Sequence, residues 1–72
     1  MELSIRIAAW RKARGLTQAD LAEAAGVTAS AVCLWEAGKS SPSQSHLAAI
    51  VDRLGLSIAR FYGRVPKARA TA

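Results

Sequence analysis

The sequence predicts an all-α fold of five short helices joined by tight turns. Apolar residues recur at spacings of three and four along most of the chain, a pattern typical of helices that bury one face. Alanine is abundant, and no alternating run of β-branched residues indicates a strand. All five glycines follow a helix-like segment, and Ser or Thr precedes most of the segments that come next. Helix stops and starts therefore lie close together.

Length and composition favour a single globular domain. A chain of 72 residues has room for one small core, and 51% hydrophobic with 21% charged residues is a globular balance rather than a disordered one. We expect residues 1–63 to form the domain. Residues 64–72 hold a proline, three basic residues and little to bury, so we expect a flexible basic tail there.

The charge balance is strongly basic for so small a chain. Ten Lys and Arg against five Asp and Glu give a formal charge of +5, which favours nucleic acid or an acidic membrane surface as partner. Membrane binding is the weaker alternative, because the basic residues do not line one face of an amphipathic helix. No apolar stretch approaches the ~20 residues of a spanning helix, and no signal-peptide pattern is present. We therefore expect a cytoplasmic protein.

The chain lacks the side chains that most metal and catalytic sites need. One cysteine, Cys33, allows no internal disulfide, and with one histidine, His46, the chain cannot supply the four ligands of a structural zinc site. His46 and Asp52 lie six residues apart on one predicted helix, hence on different faces, and no nucleophile motif occurs. We expect no metal, no cofactor and no enzymatic activity.

The first helix is predicted over Ser4–Arg14. Ile7 and Trp10 share its buried face, with Leu3 as a further candidate. Its last turn is basic, which suits the negative end of the helix dipole, and Gly15 is a favourable stop.

The second helix is predicted over about Gln18–Ala25. Thr17 precedes it as N-cap, and Asp20 follows three residues later in a spacing like that of a capping box. Gly26 ends the helix, because glycine adopts a positive φ more readily than other residues. The buried side of this helix is predicted to be Leu21, Ala22 and Ala25.

The third helix follows the second after only a few residues. Thr28 is its predicted N-cap, and the helix covers about Ala29–Ala37, with Val32 and Trp35 on its inner side and Gly38 as its stop. So short a connection is typical of a helix-turn-helix unit. In such a unit the second of the two helices can enter a groove as wide as the DNA major groove.

Two further helices complete the predicted fold. The fourth covers about Ser43–Leu54 and ends at Gly55, and Ser57 then caps a fifth helix that ends near Tyr62. The predicted inward residues of these two helices are Leu47, Ile50, Val51, Leu54, Ile58 and Phe61.

Residues 17–43 resemble a known family in residue type and register. Their sequence, TQADLAEAAGVTASAVCLWEAGKSSPS, is similar to the helix-turn-helix of Cro and phage-repressor-type regulators, the XRE family, and the resemblance extends over about residues 3–63. It implies a compact five-helix, lambda-repressor-like DNA-binding domain. It also implies a sequence-specific transcriptional regulator, a repressor that binds a palindromic double-stranded DNA operator as a homodimer. A phage Cro, a restriction-modification controller and an antitoxin all fit this pattern.

The resemblance assigns roles to individual positions. The positions that read bases correspond to Thr28, Ala29, Ser30, Cys33 and Leu34, with Ala31 as a further candidate. Phosphate contacts are expected from Gln18, Lys39, Ser40, Ser41 and Arg14. Arg11 and Glu36 lie where family members pair the first helix with the end of the third, which is a structural role. The expected dimer interface is around Leu56, Phe61 and Tyr62.

The base-reading positions depart from the usual pattern of the family, because none holds glutamine, asparagine or arginine. Direct readout would rest on Ser30, on Thr28 and on apolar contact with thymine methyl groups, so specificity also depends on DNA shape and dimer spacing. The alternative from another class is a protein-binding adaptor. It would dock through the apolar face of the third helix, formed by Ala29, Ala31, Cys33 and Leu34.

The remaining distinctive side chains have ordinary structural interpretations. Trp10 and Trp35 are expected in the core, Cys33 is expected as a small surface residue rather than a redox switch, and His46 as a solvated or core-edge residue. Solvation and phosphate contact remain equal alternatives for the tail cations Arg64, Lys67 and Arg69.

Overall fold

The computed structural model describes residues 2–66 and confirms the all-α prediction. The five helices are α1 (Leu3–Ala13), α2 (Gln18–Ala25), α3 (Ala29–Glu36), α4 (Gln44–Arg53) and α5 (Ile58–Tyr62), and residues 2–66 contain no strand. Lys67 and Arg69, two of the tail cations, lie outside the described residues.

The helix boundaries fall within one residue of the predicted ones. Helix α1 begins at Leu3 and ends at Ala13, one residue earlier than expected at each end. Helix α3 ends at Glu36 instead of Ala37, which is its C-cap. Ser43 and Leu54, predicted as the ends of the fourth helix, are its capping residues.

Four of the five helices have a hydroxyl residue as N-cap. The backbone N–H of the third helical residue donates to the capping oxygen at 3.0 Å in α2, 3.2 Å in α3 and α4, and 3.1 Å in α5. Each bond satisfies a backbone donor that the helix itself cannot pair. The four caps are Thr17, Thr28, Ser43 and Ser57.

The core draws on all five helices. Helix α2 packs against α3 and α4, α1 packs against α3 and α5, and α4 also contacts α5. The buried hydrophobic residues are Ile7, Trp10, Leu21, Ala22, Val32, Trp35, Ile50, Val51, Leu54 and Phe61. Three residues predicted to face inward, Leu3, Ala25 and Leu47, are partly buried and pack against this core.

The prediction that Ile58 faces inward is wrong. Its side chain is 51% exposed, whereas Phe61 is fully buried. Helix α5 has only five residues, so a single face meets the core, and Phe61 occupies that face with support from Leu56 in the preceding turn. Ile58 lies on the outer side with Tyr62, one turn further along.

The end of α5 is bonded to the middle of α1. The indole Nε1–H of Trp10 donates to the carbonyl of Phe61 at 3.0 Å. The guanidinium Nη1 of Arg6 donates to the same carbonyl at 2.8 Å and to that of Gly63 at 2.7 Å. These bonds satisfy carbonyls that the last turn of a helix leaves unpaired. They join residues more than 50 positions apart, and no local sequence pattern predicts them.

The turn between α2 and α3 requires a left-handed residue at Gly26. Its φ is +73°, and the next residue, Val27, donates its N–H back to the carbonyl of Ala22 at 2.9 Å. This is the geometry of a glycine-terminated helix. A Cβ at Gly26 would meet no atom within 4 Å, so the constraint at this position is backbone conformation alone.

Replacing Gly26 with alanine should destabilise the domain by about 1 kcal/mol, the cost of a left-handed L-residue. Thermal denaturation should show the midpoint falling by roughly 4–8 °C. Gly63→Ala is the matched control, because Gly63 has a φ of −80° and its added Cβ makes only ordinary contacts. Equal destabilisation by the two changes would contradict the role assigned to Gly26.

The acid stability of the domain should depend on Asp20. Its carboxylate accepts the N–H of Thr17 at 2.8 Å, and the backbone and side chain of Thr17 lower the pKa of Asp20 below its ordinary value of 3.8. Because the folded pKa is the lower one, the charged carboxylate stabilises the fold above pH 3.8. That contribution is lost as the pH falls through the folded value.

Asp20→Asn should therefore lower the free energy of unfolding at neutral pH, and the difference from the parent should shrink as the pH falls below 3.8. Chemical denaturation across this range measures both. The control is Asp52→Asn on the exposed side of α4. A difference that stayed constant with pH would exclude the carboxylate as its cause.

Candidate nucleic-acid interface

Helix α3 has one anchored side and one free side. Val32 and Trp35 are buried against the core. The opposite side carries the exposed residues Ala29, Ser30, Cys33 and Leu34. The core therefore holds α3 with a strip of small and apolar side chains facing outward, on the side expected from the sequence.

The six base-reading candidates differ in what they can offer a ligand. Ser30 is exposed, and Leu34 is 45% exposed despite its apolar side chain. The Thr28 hydroxyl accepts the N–H of Ala31 at 3.2 Å and keeps its own O–H free to donate. Ala31 is partly buried against the core, so less of its side chain is available to a ligand than that of the four exposed residues of α3. The exposed strip therefore combines two hydroxyls with apolar surface.

The predicted pair between Arg11 and Glu36 is confirmed. Arg11 Nε donates to Glu36 Oε2 at 2.7 Å and Nη2 donates to Oε1 at 3.0 Å, which makes a bidentate ion pair. Only 14% of the Arg11 side chain and 8% of the Glu36 side chain is exposed. Arg11 Nη1 also donates to the carbonyl of Leu16 at 3.0 Å. The pair thus joins α1, the turn before α2 and the last residue of α3.

Gln18 also belongs to this cluster. Its Nε2 donates to Glu36 Oε1 at 3.1 Å, which links the first residue of α2 to the last residue of α3. The bond spans 18 positions and was not predicted, because the resemblance assigned Gln18 only to phosphate. The amide retains a second N–H and its carbonyl oxygen. The phosphate contact of Gln18 therefore stays a prediction, now with one of its donors already in use.

The other phosphate-contact candidates are exposed. Lys39, Ser40 and Ser41 lie in the loop between α3 and α4, directly after Gly38, whose φ is +76°. Arg14 lies at the end of α1, with its guanidinium carbon 5.7 Å from the centre of the Trp10 ring. Basic and hydroxyl groups are thus available in the loop after α3, whereas the Arg14 guanidinium lies against the Trp10 ring.

The structure alters which residues can form the predicted dimer surface. Phe61 is fully buried within its own chain, so its assignment to a surface for a partner is wrong. Leu56 is partly buried against the core, and Tyr62 is exposed, with Arg6 5.6 Å from its ring centre. The sequence analysis did not identify Ile58 as an exposed apolar residue of α5, because its three-residue spacing from Phe61 suggested that both side chains face inward.

The other distinctive side chains lie where the sequence indicated. Trp10 and Trp35 are in the core, and Cys33 is exposed. His46 is half-buried at the edge of the core, with its ring centre 5.6 Å from that of Trp35. Within residues 2–66, no cluster of three His, Cys, Asp or Glu side chains could hold a metal ion. None of the five described helices has the length and apolarity needed to cross a membrane.

Comparison with known proteins agrees with this architecture. Residues 7–61 match the model of a helix-turn-helix family. The chain therefore belongs to the helix-turn-helix family of Cro and phage-repressor-type DNA-binding proteins. It is 34% identical over 64 residues, 89% of its length, to the cryptic phage CTXphi transcriptional repressor RstR of Vibrio cholerae serotype O1. The chain spans 57% of the length of that relative.

Arg11→Met should destabilise the domain by about 3–5 kcal/mol, because it leaves the largely buried Glu36 carboxylate without its cation. The double variant Arg11→Met/Glu36→Met should be more stable than Arg11→Met alone, since it removes both charges and keeps apolar volume. Urea denaturation of the parent, the two single variants and the double variant tests this. Additive losses would show that the two side chains are not coupled.

Proposed function

We propose that this protein is a transcriptional repressor that binds a palindromic DNA operator as a homodimer. The observation that carries the proposal is the free side of α3. Val32 and Trp35 hold this helix to the core, and its opposite side is exposed in the position of a recognition helix. Membership of a DNA-binding family and the similarity to a phage transcriptional repressor support it.

Base readout would rest on few hydrogen bonds. The hydroxyls of Ser30 and Thr28 can donate to base edges, and Leu34 offers an apolar contact that suits thymine methyl groups. Ala29 and Cys33 are small enough to let α3 lie deep in the groove. With so few polar contacts, part of the specificity comes from the shape of the operator and the spacing of its half-sites.

Phosphate contacts would supply most of the affinity. Lys39, Ser40 and Ser41 follow the end of α3, Gln18 is the first residue of α2, and Arg14 caps the end of α1. Contacts at these places position the recognition helix but carry no sequence information. The net charge of +5 adds attraction for DNA that salt screens.

A homodimer follows from how little DNA one α3 helix can read. Two recognition helices about 34 Å apart would enter successive major grooves on one side of the DNA. The surface of α5 around Leu56, Tyr62 and the exposed Ile58 is the proposed contact between the two copies. Repression would follow from covering a promoter. The phage repressor relative favours the phage type over a restriction-modification controller or an antitoxin.

The adaptor hypothesis has one observation in its favour, the 45% exposure of Leu34 on α3. A docking face made from Ala29, Cys33 and Leu34 would depend on apolar contact, so Lys39→Ala and added salt would have little effect on its binding. If the protein binds DNA, Lys39→Ala and added salt should each weaken binding. The two hypotheses therefore separate in a single salt titration.

Selection from a random double-stranded DNA pool, followed by sequencing of the bound fraction, tests the proposal. We expect a palindromic motif with half-sites about one helical turn apart. Analytical ultracentrifugation of the complex should find two protein chains per operator. Weak, sequence-indifferent binding that salt abolishes would overturn the repressor assignment.

Lys39→Ala should weaken binding to the selected operator and to unrelated DNA by a similar factor. It should also reduce the slope of log affinity against log salt by about one. Ser30→Ala should instead alter the selected sequence at one position of each half-site. Lys12→Ala, at an exposed position of α1 with no assigned DNA contact, is the charge-matched control for Lys39→Ala. Fluorescence anisotropy at several salt concentrations measures the slopes, and equal slope changes for both variants would contradict the contact.

A further inference from the structure

We propose that Glu36 is a positioning residue for DNA binding, which orients the Gln18 amide so that its second N–H is directed at a backbone phosphate. The inference rests on the proposed function and extends it. Glu36 itself would not touch DNA, because its side chain is 8% exposed and already bonded to Arg11 and Gln18.

Arg11 fixes the carboxylate of Glu36 independently of Gln18. Arg11 holds both of its oxygens, at 2.7 Å and 3.0 Å, so the carboxylate cannot rotate without breaking a bond. Arg11 is in turn bonded to the carbonyl of Leu16, two residues before Gln18. The acceptor for the Gln18 amide is therefore a rigid part of the domain.

This acceptor determines which way round the Gln18 amide lies. Only the NH₂ end can face a carboxylate, because the amide oxygen would be repelled by it. One N–H points to Glu36 Oε1 at 3.1 Å, and the planar amide then fixes the direction of the other N–H. A glutamine on a free surface samples many rotamers and would lose that freedom on binding DNA. Here the structure has already restricted it.

Arg11 also makes the arrangement compatible with a phosphate. Without Arg11, the negative charge of Glu36 next to Gln18 would repel the DNA backbone. The Arg11 guanidinium neutralises that charge. A buried ion pair is often no more stabilising than apolar residues of the same volume. In this pair, however, Glu36 Oε1 also accepts a hydrogen bond from Gln18. Apolar residues could not orient the Gln18 amide in this way.

A double-mutant cycle on DNA affinity tests the inference. Gln18→Ala should weaken binding of the parent to its selected operator about tenfold, and should cost much less in the Arg11→Met/Glu36→Met background, where position 36 has no oxygen to accept the amide N–H. Lys39→Ala is the matched control, because Lys39 is exposed in the loop and should cost the same factor in both backgrounds. An equal loss from Gln18→Ala in both backgrounds, or no loss in the parent, would overturn the positioning role.

A second measurement needs no variant and covers the case in which the Arg11→Met/Glu36→Met background does not fold. The sequence has two glutamines, Gln18 and Gln44, and no asparagine, so these two residues give all the side-chain carboxamide NH₂ signals in an ¹⁵N spectrum. Gln44 is the first residue of α4 as Gln18 is of α2, but it is exposed. In the free protein, ¹⁵N relaxation should show a rigid Gln18 amide and a mobile Gln44 amide. Equal mobility would exclude preorganisation of Gln18 by Glu36.

The two levels of the proposal fail in different ways. If the parent protein selects no DNA sequence, the repressor function is wrong, whatever the NMR result. If the parent binds an operator but the cycle shows no coupling between Gln18 and Glu36, the repressor function stands and the positioning role is wrong.

Discussion

The bidentate pair between Arg11 and Glu36 is the contact on which the geometry of the candidate interface depends. Helix α3 has only eight residues, and a helix of that length is not stable in water by itself. Val32 and Trp35 fix which side of it faces the core. The pair at its last residue ties that end to α1, and Gln18 ties it to α2. The three helices that shape the interface thus meet at one carboxylate.

Much of the fold could be predicted because its boundaries are encoded locally. A hydroxyl residue at a helix start and a glycine at its end act within four residues, so Thr17, Asp20 and Gly26 were enough to predict the limits of α2. The prediction for Ile58 failed because α5 has five residues, too few turns for spacing to define a buried face. The bonds from Arg6 and Trp10 to the end of α5 depend on the tertiary fold, which no local pattern contains.

The candidate site was predicted mainly from the family resemblance, because its residues come from separate helices. The outer residues of α3 follow from periodicity once Val32 and Trp35 are placed inside. The pair of Arg11 with Glu36 came from the resemblance, whereas the bond from Gln18 to the same carboxylate was visible only once the helices were packed. Phe61 was predicted both to face inward and to lie at a partner surface; its complete burial confirms the first prediction and contradicts the second.

The bonds that hold the end of α5 also determine where the polypeptide leaves the domain. Arg6 donates hydrogen bonds to the carbonyls of Phe61 and Gly63. The position of the backbone at the end of α5 is therefore fixed relative to α1. A fluorophore or a fused reporter attached just beyond this point would have a defined origin on the protein surface. Distances measured from such a probe to labelled DNA would then report the orientation of the whole domain.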